Sequence, residues 1–543
     1  MIRFNCNRWT FALLGLFTGL IVSGPAASHD EAESIGTAHF SISCGDEAQR
    51  GMDYALAMLH GFWFPQATNA FIDLTKAQPR CAMAYWGLAM SQRTNPLTGE
   101  PSRENTKRGS EAIEQAKMLK TKTQRERDYV AAMGAYYQDW ETRDFRSRVL
   151  SYEEAMEHVY RRYPEDVEAA VLYALSLNEA ITVIPADKTS FRQLKAARIL
   201  EEVLSKEPEH PGALHYLIHS YDFPALAEHG LEAANKYASI APGAPHARHM
   251  PSHTYSMLGM WDESITSNEA ALGIAKNYVH AMDFMVYAYL QLGQDAQAKR
   301  LVETSAGLQK TVPAASQRTP TGSVLTVYTA HAAIPARYAI ERGAWAEAAA
   351  LEVHHMSPVG DAITHFTRAM GLAHLGDSVH AREEIEVLRG LRDELTQLKQ
   401  GYWADQIEIQ RKAAAAWAAL SEGDKAQALS LMRSAADAED ASEKHVAMEN
   451  RLWPMRELLG ELLLAVDEPV LALQEFETSL AISRNRFRGL YGAAKAAQRI
   501  GDGSTATGFY KKVLSLTKNA DSIRQEIGEA QAFIAMRGDA MSR

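Results

Sequence analysis

Apolar residues recur every three to four positions along almost the whole chain, in Ala-rich stretches such as Ala413–Leu420 and Glu457–Leu464. That spacing predicts amphipathic helices. Period-2 runs of β-branched residues bounded by turns do not recur, so no strand is predicted. A longer period overlies the short one. A Gly followed five residues later by an Ala occurs at Gly293–Ala298, Gly343–Ala348, Gly376–Ala381, Gly423–Ala428 and Gly501–Ala506. The Gly fits a tight turn between antiparallel helices, and the Ala lets the second helix approach the first. A bulky apolar residue often follows four positions later, as at Ile385, Met432 and Tyr510. Ala67, Phe71 and Pro79 keep that spacing, as do Ala196, Leu200 and Pro208, with the Pro ending the second helix.

These residues resemble the tetratricopeptide repeat (TPR), a 34-residue helix–turn–helix with an A-x3-F…P signature. Leu459–Gly460 with Ala472–Phe476 is a clean copy, and the next begins 34 residues on. The resemblance covers roughly residues 45–535 and is weakest around 95–145 and 300–330. The blocks HPGALHYLIHSYD and HARHMPSH look like blocks found in exported bacterial TPR proteins. The resemblance implies an all-α, right-handed solenoid that buries one continuous core by stacking, in one lobe or two. It divides the chain into arrays at 45–311 and 324–535, with 536–543 as a tail. Between the arrays, the Pro/Thr/Ser-rich segment 312–323 reads as a lobe boundary or as a loop folding over the groove.

Composition narrows the function. The 543 residues are 46% hydrophobic and 23% charged, the balance of a globular chain. With 56 Lys+Arg against 67 Asp+Glu, the net charge is −11 and there is no basic stripe, so a nucleic-acid partner is not expected. Arg3 and Arg8 precede an uncharged apolar run from Trp9 to Val22, and small residues follow up to Ser28. Residues 1–28 therefore read as a secretory signal, with 29–44 as an N-terminal segment and the mature protein periplasmic or secreted. The other reading is an uncleaved interfacial anchor. Cleavage takes two cations and shifts the charge to −13. No later stretch is apolar enough to span a membrane. Cleavage also leaves two of the three Cys, Cys44 and Cys81, either as one disulfide or as two buried thiols.

Eight of the 19 His lie between His210 and His280, against about 2.5 expected for a window of that length. Six of them follow the repeat: His215 and His249, His219 and His253, and His246 and His280 are each 34 apart. Asp283 falls 34 after His249, and Tyr221, Tyr255 and Tyr289 keep the same interval. On a helix His215 and His219 lie within about 40° of one another and Asp222 within about 60° of His219, whereas Tyr221 is about 160° away. In the TPR resemblance that Tyr belongs to the packing face, which puts the His/Asp face in the concave groove. Two His at i, i+4 chelate one metal. A carboxylate one turn on serves as a harder ligand or holds an imidazole tautomer. His215, His219, Asp222, His246, His249, His253, His280 and Asp283 are thus candidate ligands of a mononuclear or dinuclear N/O site for Zn, Fe, Mn or Cu.

Against this stands a plainer reading, in which the His form a polar face or bond groove ligands. Pro251 between His249 and His253 either starts a helix or bends one, which makes that pair's geometry less regular than the His215–His219 pair. His210 beside Pro211 reads as a helix-start residue and His229 as a turn residue, both non-ligands. His60, Tyr287 and His445 are possible groove residues, and Trp86 reads as packing. The cluster Glu439, Asp440, Glu443 and His445 reads as a solvated face, or as a cover closing the solenoid over the metal site. No phosphate loop, nucleophile elbow or HExxH motif is present. The leading expectation is an exported scaffold whose groove carries a His/Asp metal site and binds a peptide, protein or small ligand. The alternatives are a metal-dependent hydrolase or oxidoreductase with Asp222 or Asp283 as base, and a periplasmic metal-handling protein.

Overall fold

The structure, a computed structural model, describes residues 34–311, 323, 325–446 and 451–541, with side chains up to 537. The proposed signal, nearly all of the 312–323 segment and the end of the tail lie outside the described residues. Among the described residues every regular element is a helix, from Asp46–His60 to Gln525–Met541. Each packs mainly on its neighbours in sequence, the arrangement of a helix–turn–helix solenoid. No described helix is long and apolar enough to cross a membrane.

The Gly/Ala rule holds throughout. Gly293, Gly343, Gly376, Gly423 and Gly501 all have φ between 64° and 87°, a left-handed conformation that costs Gly nothing. The partner Ala residues 298, 348, 381, 428 and 506 are fully buried between helices. Phe476 shows why the repeat needs its aromatic. Its ring lies so close to Gly460 and Gly492 that a Cβ at either would fall within 3 Å of it, so the Phe wedges between consecutive first helices.

Tyr221, Tyr255 and Tyr289 also act alike. Each phenol donates to a side chain 20 positions earlier: Glu201 (2.6 Å), Asn235 (2.7 Å) and Glu269 (3.1 Å). The Tyr face therefore ties each first helix to the preceding second helix. Cys44 and Cys81 form a disulfide, with Cα atoms 5.5 Å apart, that staples the Asp46–His60 and Phe64–Ala77 pair at its base.

The array does not stay open. Repeats near the C-terminus return to the middle of the chain, where Trp261 Nε1 donates to the Asn485 carbonyl (3.0 Å) and Arg484 pairs with Glu228 (2.5 Å). Arg524 pairs with Asp295, and the Asp521 carboxylate accepts the Ala296 N–H (2.9 Å). Arg486, wholly buried, bridges Glu341 and Glu457 at 2.8 Å each and donates to the Tyr287 hydroxyl. Further along, Lys188 pairs with Glu443 (2.6 Å). The face that the resemblance assigns to the concave groove is enclosed by these contacts.

Candidate metal centre

The six period-34 histidines come from three consecutive first helices. In the first of these, Pro211–Ser220, Pro211 occupies the first turn and His210 caps it, its Nδ1 accepting the Ala213 N–H at 3.2 Å. The second is broken into Pro245–His249 and Pro251–Leu258, but Met250 between them keeps right-handed helical dihedrals (φ −53°, ψ −37°). Pro251 thus starts a segment without ending the turn. His249 and His253 face each other as regularly as the unbroken pair: Nε2–Nε2 is 3.1 Å both there and between His215 and His219. The third helix, Val279–Gln291, carries His280, Asp283 and Tyr287.

These residues assemble into two triads. His215, His219 and His246 place one ring nitrogen each within 4.8 Å of one another, and so do His249, His253 and His280. The second triad is the first moved on by 34 residues. Ring centroids of His219 and His253 are 6.1 Å apart and those of His246 and His249 5.8 Å, so the triads adjoin. None of the six is more than 5% exposed. A single Phe covers each. Phe62, in the left-handed region (φ 51°), lies 4.4 Å from His215 and 5.7 Å from both His219 and His246. Phe284 lies 4.8, 4.7 and 5.1 Å from His249, His253 and His280.

Hydrogen bonds fix which nitrogens are free. His215 Nδ1–H donates to the His60 carbonyl at 2.6 Å, leaving a lone pair on Nε2. Asn268 is oriented by its own amide, which donates to the Ser264 carbonyl, so its oxygen accepts from His249 Nδ1–H at 2.6 Å. His253 Nδ1–H donates to Asp222 at 2.9 Å, and Lys444 holds the other Asp222 oxygen at 3.0 Å. In the second triad two Nε2 lone pairs therefore confront each other at 3.1 Å with no proton between them. In the first, His246 Nδ1 meets the Tyr278 hydroxyl at 3.0 Å, while His246 Nε2 and His219 Nδ1 are buried without partners.

Charge does not relieve this. Burial disfavours the imidazolium, lowering His215 to about 3 and His249 to about 4. Burial and then neighbouring groups hold His219, His246, His253 and His280 well below the ordinary value. All six are neutral at pH 7, the form that binds metal. Facing lone pairs and orphaned nitrogens in a dry site are what a cation would satisfy.

The two aspartates stand behind the ligands. Burial pushes the Asp222 carboxyl up to about 7 against the opposing Lys444 charge, and its oxygens are taken by His253 and Lys444. Asp283 is buried and paired with Arg337 at 3.0 Å. Neither carboxylate joins the ligand atoms of a triad. The expectation that they coordinate metal gives way to a positioning role for Asp222 and an ion pair for Asp283.

His60 does not enter a groove. It forms a third buried cluster in which its Nε2 lies 3.0 Å from Glu168 and its Nδ1 3.0 Å from the Tyr216 hydroxyl. His210 Nε2 lies 3.2 Å from the same carboxylate. Because His210 Nδ1 already accepts a backbone N–H, its Nε2 carries the proton and donates. The two imidazoles outweigh burial and hold Glu168 well below the usual carboxylate range. This cluster is a hydrogen-bonded knot that fixes the His60 carbonyl beneath His215. His210, read from sequence as a helix-start residue only, both caps its helix and joins this knot.

His229 is exposed and lies tilted against the Tyr221 ring. Tyr287 bonds Arg486 rather than the triads. His445 stacks on Trp403 with centroids 5.2 Å apart, beside a cavity that begins at His280. Glu168, Asn268, Tyr278, Phe62, Phe284 and Lys444 escaped the sequence reading. Of these only Lys444 had a signal, since it lies inside the cluster 439–445 for which a covering role was one reading.

No protein-family model matches the sequence, and a search of curated proteins finds no relative. Among solved structures, a human IFIT1 dimer with PPP-AAAA is similar at 11% identity and a TM-score of 0.40, over 80% of this chain and 90% of that one. A structure of Naa15/Naa10 bound to HypK-THB is similar at 15% identity and a TM-score of 0.25, over 91% and 74%. Neither superposition bears on what this chain binds.

Proposed function

We propose that this chain is an exported helical-repeat metalloprotein whose closed interior holds two adjacent transition-metal ions, one per histidine triad. The observation that carries the reading is the 3.1 Å approach of His249 and His253 Nε2, both left with lone pairs by the protons on their Nδ1 atoms. Six imidazoles without thiolate or carboxylate favour Cu, Zn or Fe over Mn. Three protein ligands per ion leave a coordination position open, the pattern of catalytic rather than structural sites. That moves the metal-dependent enzyme ahead of the groove-binding scaffold, because the groove face is enclosed. Closure also disfavours a carrier, which must release its metal. The Cys44–Cys81 disulfide supports an oxidising compartment, as export requires.

Within this reading the chain's own residues position and exclude. The His60 carbonyl, Asn268 and Asp222 each hold an Nδ1 proton and so aim an Nε2, while Phe62 and Phe284 keep water from the rings. When bound, the ions would supply Lewis acidity or redox capacity. Metal analysis of the purified mature protein tests the proposal. Two equivalents of Cu, Zn or Fe per chain are expected, and a substoichiometric content after reloading with each metal would overturn it.

A further inference from the structure

Beside the second triad lies a cavity of about 130 Å³ whose walls come from both halves of the chain. His280, Asp283 and Lys444 form one end, so the cavity begins where the metal centre stops. Its flanks are apolar and aromatic, with Phe366, Tyr402, Trp403 and Trp453 in the lining. A cavity of roughly 150 Å³ with apolar walls accommodates benzene, so this one is sized for a single ring.

Its polar groups are lopsided. Gln406 Nε2 and Trp453 Nε1 are buried in the lining with no hydrogen-bond acceptor among the described residues. Both are donors. The charged groups of the wall are paired: Arg337 with Asp283, Arg451 with Glu439 and Lys444 with Asp222, each at 3.0 Å. The chamber thus offers a ring-sized apolar slot and two unanswered donors.

We propose that this cavity binds a small aromatic molecule, one ring bearing an acceptor oxygen on a carboxylate or a hydroxyl, seated against the second triad. The proposal rests on the dinuclear reading for its neighbour but not for its own chemistry. The oxygen of the guest takes the two unanswered hydrogen bonds, and the ring stacks among the aromatic walls.

Titrating the full mature protein with benzoate, phenol and toluene, by calorimetry and tryptophan fluorescence, tests this in metal-free and Co²⁺-loaded forms. Saturable one-to-one binding of benzoate or phenol to the metal-free protein is expected, at least tenfold tighter than toluene. Whichever of the two binds better at pH 8, where benzoate is ionised and phenol is neutral, identifies the carboxylate or the hydroxyl arm. Gln406→Leu is expected to weaken binding about tenfold, and Ile363→Trp, which fills the slot, to abolish it with unchanged circular dichroism. Binding is also expected to shift the visible Co²⁺ spectrum. Absence of saturable binding overturns the proposal, as does toluene binding equally well or indifference to both substitutions. An unshifted Co²⁺ spectrum with benzoate bound overturns the seat against the triad. Failure to take up Co²⁺ overturns the metal reading alone and leaves the metal-free titration readable.

Discussion

The two triads are copies of one repeat, yet they are not equally prepared. In the second, Asn268 and Asp222 pin two Nδ1 protons, and both partners are themselves held, by Ser264 and Lys444. In the first, only His215 is pinned, by a backbone carbonyl; His246 meets a hydroxyl that can donate or accept, and His219 Nδ1 has no partner. A proton on His219 Nε2 satisfies its contact with His215, whereas nothing short of a cation satisfies the His249–His253 contact. Repetition supplies ligands in register, but preorganisation has to be built separately at each copy. The second triad is therefore expected to load first and hold metal more tightly.

The largest expected effect breaks the comparison outright. Replacing His249 and His253 together by Ala should lower the metal content from two equivalents to one by elemental analysis, leaving the first triad loaded. A fall to zero would mean that the triads form one indivisible site. Next, Cys44→Ser opens a loop of 37 residues at the base of the helix pair that supplies the His60 carbonyl and Phe62. It should cost about 4 kcal/mol in denaturant unfolding. Its effect on metal affinity should be confined to the first triad.

A finer test asks whether pinning matters. Asn268→Leu should weaken the second ion 10- to 100-fold in a competition titration. Tyr278→Phe should weaken the first by less than tenfold. Equal losses would remove the asymmetry.

The smallest effect uses His374 as a control, a half-buried imidazole outside both triads, stacked 3.8 Å from Trp345 and tilted against Trp417 at 4.2 Å. Burial lowers it to about 3, so it is neutral in the fold and titrates near 6.5 when unfolded. Its contribution to stability is complete above pH 6.5 and is lost as pH falls from there toward 3, by roughly 1 kcal/mol per pH unit. Urea unfolding between pH 7 and 4 should show a steeper total slope, because the triad imidazoles add to it, and His374→Phe should reduce it by this one increment.

The helical hairpins and the histidine pattern were legible because both are periodic: turn glycines and buried alanines obey local geometry, and a 34-residue interval survives inspection of one sequence. The interval also explains where the pattern stops. One repeat earlier, the position of His246 is Gly212, where a Cβ would lie 2.4 Å from the His60 ring. One repeat later, His249 and His253 become Asp283 and Tyr287, which turn to Arg337 and Arg486. The covers and the positioning groups were not legible. Phe62, Glu168, Asn268 and Lys444 reach the site across 19 to 222 residues of chain, from elements whose own periodicity concerns packing. Whether the groove face is open or covered was not legible for the same reason, since closure depends on contacts between the 228–295 and 484–524 segments.

Lys444 has a consequence for the order of events in making this protein. All six imidazoles have been synthesised by residue 280, but the residue that seals Asp222 follows some 160 positions later, and the returning repeats later still. An emerging chain therefore passes through a stage with every ligand in hand and no roof. Metal delivered in that interval meets an accessible basin, and metal offered afterwards meets a finished wall.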